Sequence, residues 1–523
     1  MGERYLTILE VSQKQVYIFA SNKLKDNVTN SAVIACVMSP NYFAEKINDE
    51  NLFSANKNLV YSGGGHTVLE FATMELAKEF TQKITTAILK EYPGIEVFAK
   101  TIEYDSNVSA RENLKALSTG LERKKALRKA AFHQGSFGIE QMDPNTLSPV
   151  AKEVPETVGK MPETEKTVEK ELSAEVFGYQ NGSKFEELGG SKGKSNFVAV
   201  VHIDGNAMGK RVENLHAQNK DAEWDAYKAK LKAFSDAIDK DFKEAYKDMV
   251  SLVAENLKND KLEALDLKEN RFPVRRIITA GDDICFVCDG RLGLECAVAF
   301  IRALAGKTNS VDGEGYAACA GVAIVHQKYP FYRAYELAEQ LCSNAKRFGV
   351  NLNRERGGEI SSIDWHIEYG EMKDSLEEIR ESYRTADGKR LELRPYIVSG
   401  PEEIISEEPH RRYEIFKKLI SGIQKKEIHY SKSRLKELRT VLKKGEAATE
   451  HYLKFHRIED IARDSYQDIF VEADKSGIGT GKELERKVFL CTQDGADRSI
   501  LFDTIELLDD YIALDTKEGA GSR

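Results

Sequence analysis

Two adjacent carboxylates stand between apolar runs in the stretch Arg275-Arg276-Ile277-Ile278-Thr279-Ala280-Gly281-Asp282-Asp283-Ile284-Cys285-Phe286-Val287. The pattern predicts a β-hairpin with Asp282 and Asp283 at its turn and Gly281 relaxing the backbone at the bend. Two carboxylates side by side repel each other and lose hydration when buried, so they call for a compensating cation. An all-oxygen ligand set of this kind suits Mg2+ or Mn2+ rather than zinc. Taken alone, the pair reads more simply as a solvated turn.

A second feature strengthens the chemical reading. Phe197-Val198-Ala199-Val200-Val201-His202-Ile203-Asp204 is almost continuously apolar, as in a central strand covered on both faces. It ends in a carboxylate and runs into Gly205-Asn206-Ala207-Met208-Gly209-Lys210. A carboxylate at a strand tip beside a hairpin carrying two more would complete a two-metal site for phosphoryl or nucleotidyl transfer. Asp204, Asp282 and Asp283 are the expected catalytic and metal-holding residues, with Ile203 added to the metal set. The turn glycines let backbone amides approach a triphosphate at the next helix N-terminus. Gly205, Asn206, Ala207, Met208, Gly209 and Gly281 are therefore the expected nucleotide-binding residues, although Asn206 could instead cap that helix.

The elements that must position these residues follow from the rest of the chain. With 523 residues, 41% hydrophobic and 31% charged, it is too long for one core and reads as a soluble protein of about three domains. No apolar run approaches the ~20 residues of a membrane span, and no N-terminal segment resembles a signal peptide. Seven cysteines, an odd number, suggest a reducing cytoplasm. Cys285 and Cys288 form a CxxC, but strand alternation puts them on opposite faces, so they read as core. A net charge of −9 argues against broad nucleic-acid binding.

The first 100 residues predict strand 4–11, a helix starting near Tyr17, a hairpin around Gly63-Gly64-Gly65-His66, a helix from Thr73 to Lys90 and a strand from Ile95 to Ile102. The second half repeats this order: strand 197–204, a charged helical region to about 268, hairpin 274–288, helix 291–305 and strand 316–326. A helix from Pro330 and a strand from Ile360 to Ile367 follow. Overlaid, Gly63-Gly64-Gly65-His66 falls on Ala280-Gly281-Asp282-Asp283, and Glu10 falls near Asp204. The first copy lacks the paired carboxylates and is expected to be catalytically silent, a second wall of the nucleotide pocket contributed by Gly64 and Gly65. Residues 142–192 read as an extended or mobile connection, and 212–268 as a solvated helical insertion. From about 400 the composition predicts four helices with no visible chemistry.

These features resemble the large polymerase/cyclase subunit of type III CRISPR effector complexes. The likeness rests on Ala280-Gly281-Asp282-Asp283 in the second copy and Tyr61-Ser62-Gly63-Gly64-Gly65 in the first. It extends to Tyr17-Ile18-Phe19 with Lys23-Leu24-Lys25-Asp26, Asp204 to Gly209, Gly321-Val322-Ala323-Ile324-Val325-His326 with Pro330, and Ala345-Lys346. A weaker echo lies in Tyr430-Ser431-Lys432-Ser433-Arg434-Leu435, and a more distant similarity links the chain to GGDEF nucleotide cyclases. The resemblance implies an α+β chain: a degenerate ferredoxin-like palm at 1–106, a connection at 107–195, a catalytic palm at 196–370 and a C-terminal helical bundle at 371–523.

It further implies condensation of ATP, or another nucleoside triphosphate, into a cyclic oligonucleotide messenger of antiviral defence. Mg2+ or Mn2+ would serve as cofactor, and Lys346 would contact the triphosphate; as a residue alone, Lys346 reads equally as a solvated helix-end lysine. Implied partners are other subunits of such a complex and guide or target RNA, without a membrane; homo-oligomerisation stays open. Three departures from the family pattern stand out. Ala280 replaces the first glycine of Gly-Gly-Asp-Asp. The chain contains no His-Asp dipeptide and begins at the palm, so no DNase is expected. Residues 107–195 hold no cysteine for zinc. His202, His66, His326 and the aromatic group Tyr329, Phe331, Tyr332 and Tyr335 read as structural rather than as ligands or base-stacking surfaces. Two other classes remain open: a non-catalytic scaffold, and a nucleotide-binding sensor.

Overall fold

The computed structural model describes residues 4–127, 139–142, 155–188, 196–353 (apart from 221, 266, 268 and 269), 359–370, 373, 375–425, 430–458, 461 and 488–515. Two sheets carry the architecture. The first is built from β1 (Tyr5–Ser12), β2 (Leu59–Gly63), β3 (His66–Phe71) and β4 (Glu96–Glu103), in the order β2-β3-β1-β4. Between its strands run α1 (Lys14–Ile18), α2 (Leu24–Val37), α3 (Pro40–Ile47), α4 (Ala55–Asn58) and α5 (Met74–Glu91). The helix expected near Tyr17 is two helices, and α1 already starts at Lys14. Thr73 caps α5 by accepting from the Leu76 amide at 3.2 Å.

The second sheet repeats the pattern with β5 (Phe197–Gly205), β6 (Val274–Ala280), β7 (Asp283–Asp289) and β8 (Ala318–His326), then adds β9 (Ser361–Ile367) and β10 (Tyr396–Ser399). Its order is β10-β9-β8-β5-β7-β6, so β6-β7-β5-β8 matches β2-β3-β1-β4 strand for strand. Both cores are antiparallel, and only β9 runs parallel to its neighbour β8. This is the ferredoxin-like palm arrangement in duplicate. The near-continuous apolar run of β5 has its reason in position: it is the central strand, paired on both sides and covered on both faces.

Three sequence expectations need correction. Residues 212–268 are no solvated insertion. After α6 (Ala110–Ala126), α7 (Glu163–Leu172) and α8 (Met208–Gln218), the 35-residue α9 (Trp224–Lys258) buries one face from end to end. Trp224, Tyr227, Leu231 and Phe234 pack on the first sheet with Leu6, Ile8, Val60 and Val68. Phe242, Tyr246, Met249 and Val253 join the core of the second. Lys, Asp and Glu fill the opposite face and hid the helical spacing of the apolar residues.

Secondly, 142–192 is not simply extended. It contains α7, whose buried Glu169 pairs with Arg276 at 2.6 Å and also binds Arg275. It also holds short 3-10 turns at Ala174–Phe177 and Phe185–Glu187, and only residues 143–154 and 189–192 of that stretch lie outside the described residues. Thirdly, the C-terminal region is helical but not exclusively so. It contains α12 (Leu376–Glu381), α13 (Glu402–Ile405), α14 (Tyr413–Gln424), α15 (Lys432–Leu442), α16 (Glu446–His456) and the short α17 (Phe502–Glu506). It also lends β10 to the palm sheet and forms a ribbon of β11 (Phe489–Cys491) and β12 (Asp497–Ser499). A four-residue strand leaves almost no alternation to read.

Packed across the second sheet are α10 (Gly293–Ala305) and α11 (Phe331–Leu352). At Gly321 of β8, an added Cβ would stand 1.9 Å from the Ala338 carbonyl oxygen and 2.3 Å from the Cys342 nitrogen, so only glycine admits α11 this close. The two palms meet through α1 and α11: the Phe19 ring is 4.4 Å from that of Tyr335 and 5.3 Å from that of Phe331. Gln15 donates to Glu339 at 3.0 Å. Phe331 and Tyr335 thus anchor the palms to each other, while Tyr332 of the same group is exposed. All seven cysteines are free thiols, and Cys285 and Cys288 are buried.

Candidate active site

The site lies where β5 ends beside the β6–β7 turn. Antiparallel register sets Asp204 directly opposite Asp283, and Ala280 opposite Asp283 closes the turn around Gly281 and Asp282. Gly281 has φ +67°, the left-handed region that favours glycine. Gly205 is needed for a different reason: a Cβ there would lie 2.9 Å from the Asp282 Cβ and 3.1 Å from the Phe242 ring. Its missing side chain lets the acidic turn lie against the end of β5. The Gly205 amide donates to the Asp282 carbonyl at 3.2 Å, which ties the two together.

The carboxylates are electrostatically coupled. Burial, then the Asp204 charge, raises Asp282 to about 6; the same two causes raise Asp283 to about 7, with Glu339 adding to them. One oxygen of Asp283 is buried without a hydrogen-bond partner, although the side chain as a whole is 43% exposed. His202 Nδ1 lies 3.5 Å from that oxygen, and burial lowers the His202 pKa. The Lys346 ammonium donates to Asp204 Oδ2 at 2.7 Å and to the Gly205 carbonyl at 3.0 Å. Lys346 thus stands among the carboxylates rather than at a solvated helix end, and a positive charge already balances Asp204.

Among the described residues no three acidic, histidine or cysteine side chains form a ready-made metal cage. The donor set nonetheless fits a hard divalent cation. It is all oxygen, two of its carboxyls are held up by lost hydration and mutual repulsion, and Asp283 offers a buried oxygen with no donor. Asp204, Asp282 and Asp283 are the residues that would hold it. The Ile203 side chain is fully buried and apolar, so only its carbonyl could join them.

The expected phosphate-binding amides divide into two groups. Those of Gly205 and Asn206 are committed, the first to Asp282 and the second to the Ala317 carbonyl at 2.8 Å. Asn206 does not cap α8: its side chain donates to the Ile360 carbonyl at 2.8 Å, and Ala207 holds the cap position with φ +56°. The amides of Met208, Gly209 and Lys210 precede the first helical bond, from Arg211 to Ala207, and form the N-terminal face of α8.

The first palm carries the same geometry without the acids. Glu10 faces His66, and Gly63 pairs with His66, just as Asp204 faces Asp283 and Ala280 pairs with it. Both turn glycines, Gly64 and Gly65, are left-handed. Glu10, the counterpart of Asp204, is taken up by Lys125 at 2.8 Å. Lys14 donates to the Gly64 carbonyl, its stem leaves no room for a Cβ at Gly65, and its charge reaches Asp283 of the other palm. Lys14, His202 and Glu339 were not singled out from sequence as parts of the site. His202 was open to inference, since it precedes Asp204 by two residues and shares its face of the strand. Lys14 and Glu339 arrive only through tertiary packing and left no local signal.

The palm is duplicated, and the paired carboxylates stand at the hairpin turn of the second copy alone. Residues 197–354 match the family model described as Cas10/Cmr2, second palm domain. Among solved structures, it is similar to the Csm1–Csm4 cassette in complex with pppApApA (TM-score 0.55, 13% identity, covering 97% of this chain and 69% of that one). It is also similar to the cassettes in complex with cA3 (TM-score 0.53, 16% identity, 97% and 70%) and cA4 (TM-score 0.52, 14% identity, 98% and 70%). At these identities the likeness is one of fold. No curated protein matches the chain.

Proposed function

We propose that the chain is a metal-dependent nucleotidyltransferase that condenses ATP into a cyclic oligoadenylate with release of pyrophosphate, in type III CRISPR defence. The observation that carries this reading is the coupling of Asp204, Asp282 and Asp283 at one strand end, inside the segment that matches the Cas10/Cmr2 second palm. The similar cassettes are described in complex with one ATP, with pppApApA and with cA3 and cA4, which supports adenine nucleotides as substrates. Their second subunit, Csm4, supports a partner of that kind here. No described helix is long and apolar enough to cross a membrane, and the proposed setting is the cytoplasm.

In this mechanism a ribose hydroxyl attacks an α-phosphate as pyrophosphate departs, and the protein supplies position and charge. Two divalent cations held by the three carboxylates would activate the hydroxyl and neutralise the leaving group. The first-turn amides of α8 face the phosphates, and Lys346 exchanges its contact with Asp204 for a phosphate oxygen. His202, kept neutral by burial, holds its place behind Asp283. The first palm, with Glu10 neutralised, presents its glycine turn as the opposite wall and carries no chemistry.

The test is incubation with each nucleoside triphosphate in Mg2+ or Mn2+, following pyrophosphate and identifying products by mass spectrometry. A cyclic product that disappears in Asp282→Ala/Asp283→Ala establishes the activity. Pairing of Lys346 with Asp204 also suits a sensor that binds without turnover; metal-dependent binding without pyrophosphate, even with partner proteins and target RNA, would select that reading. With neither binding nor turnover, the scaffold reading leads.

A further inference from the structure

A cavity of about 490 Å3 lies between the C-terminal half of α11 and the C-terminal region, and none of the carboxylate-site residues lines it. Six guanidinium groups face it: Arg347, Arg380, Arg390, Arg394, Arg411 and Arg498. Only three carboxylates share the lining: Glu392, Glu408 and Asp494. Other acids stand behind the wall and brace it, Asp364 holding Arg380 at 2.6 Å and Asp503 holding Arg394 at 3.1 Å.

The bracing does not use up the donors. Arg380 Nη1, Arg394 Nε and Nη2, Arg411 Nε and Nη2, and Arg498 Nε are all buried without a hydrogen-bond partner. Arg380, Arg394 and Arg411 are each more than nine-tenths buried. Buried donors left unmade are costly, and carboxylate oxygens of Glu392, Glu408 and Asp503 are buried unpartnered in the same network, Glu408 Oε2 standing 3.6 Å from Arg411 Nε. A second cavity, on the other side of Arg390 and Arg498, adds Arg384 and Lys389 together with Asp387 and Asp497. Arg411 also stacks over the Phe348 ring at 4.7 Å, which fixes the guanidinium plane at the cavity wall.

We propose that this cavity is a binding site for the polyphosphate end of a nucleotide-sized ligand, separate from the palm carboxylates. Guanidinium groups held in fixed planes match phosphate oxygens in paired hydrogen bonds, and phosphate, unlike a single carboxylate, accepts from several of them at once. The volume suits a nucleotide rather than a lone ion. One helix carries both sites: Lys346 faces Asp204 while Arg347, the next residue, lines the cavity.

The test is calorimetric titration of the full chain in EDTA with inorganic tripolyphosphate, ATP, a short 5′-triphosphorylated RNA and the same RNA with a 5′-hydroxyl. The three phosphate-terminated probes should bind and the hydroxyl RNA should not. Binding should survive Asp282→Ala/Asp283→Ala and weaken about 10-fold or more in Arg347→Glu/Arg390→Gln, the loss of charge-assisted bonds. If that variant does not fold, hydrogen exchange of the unaltered chain decides. Tripolyphosphate must then slow exchange in the C-terminal half of α11 and in residues 488–500. Absence of binding or of that protection overturns the proposal. So does binding abolished by the palm substitutions alone, or equal binding of the hydroxyl RNA, which would make the cavity a backbone-binding groove. Failure here leaves the palm reading intact, because turnover is measured separately.

Discussion

Asp283 concentrates the tension of the site at a single residue. Its folded value of about 7 and that of Asp282 near 6 both lie above the ~3.9 of an unfolded aspartate. The folded chain therefore binds more protons than the unfolded one between about pH 4 and pH 7. Without a cation, stability contributed by the protonated carboxyls is full below the unfolded value and is lost as pH rises through the folded ones. Asp283→Asn should thus be more stable than the parent at pH 8 in EDTA, by ~1 kcal/mol after allowance for its solvent-facing oxygen, and equal to it near pH 4. Mg2+ should reverse the order at pH 8 by stabilising the parent alone. Thermal melts at the two pH values, with and without Mg2+, check this; a gap that ignores both pH and metal would contradict the coupling. The Asp-Asp pair, alone no more than a plain turn, was legible as a site because a near-continuous apolar strand upstream ends in a third acid, Asp204. Their surroundings were less so: the commitment of the Gly205 and Asn206 amides, and the arrival of Lys14, depend on contacts between residues far apart in the chain.

At the scale of elements, strands were read more faithfully than the helix that spans them. Both hairpins and the central strands showed period-two or continuous apolar patterns, and the equivalence of Glu10–His66 with Asp204–Asp283 followed from the repeat. In α9 the charged residues outnumber the buried ones locally, so composition pointed to solvent while the spacing of Trp224, Tyr227, Leu231, Phe234 and Phe242 pointed to a buried stripe. For α11, position is set by one residue. Gly321 lets the helix backbone touch β8, and the helix carries Lys346 to Asp204. Gly321→Ala must lift α11 or bend β8, since the nearest obstacles are main-chain atoms. A loss of about 3 kcal/mol or more is expected, measured by denaturant unfolding. Nucleotide turnover should fall even at temperatures where the variant remains folded. Full activity with unchanged stability would mean that α11 is not held where the register of β8 places it.

Across the whole molecule, the C-terminal region is fastened to the second palm by a buried acid that no sequence pattern announces. Glu295, on α10, accepts from the hydroxyls of Tyr413 and Tyr511 at 2.7 Å each, from Lys417 at 2.6 Å and from the Leu514 amide at 2.8 Å. Four donors separated by more than a hundred residues from their acceptor converge on one carboxylate, together with β10 pairing onto β9. A lone Glu in an apolar helix is locally an anomaly, and its explanation lies wholly in the chain that returns to it. Glu295→Ala removes the acceptor and leaves Lys417 and two phenols without it in a dry interface, a loss of ~3–5 kcal/mol. Glu295→Gln keeps the shape and one carbonyl, loses the charge opposite Lys417, and should cost less. Hydrogen exchange should locate the damage in α14 and in residues 502–514, while β5, β7 and β8 stay protected. Exchange that rises uniformly through the palm instead would show that the seam and the sheet unfold as one unit, and that Glu295 serves the core rather than the junction.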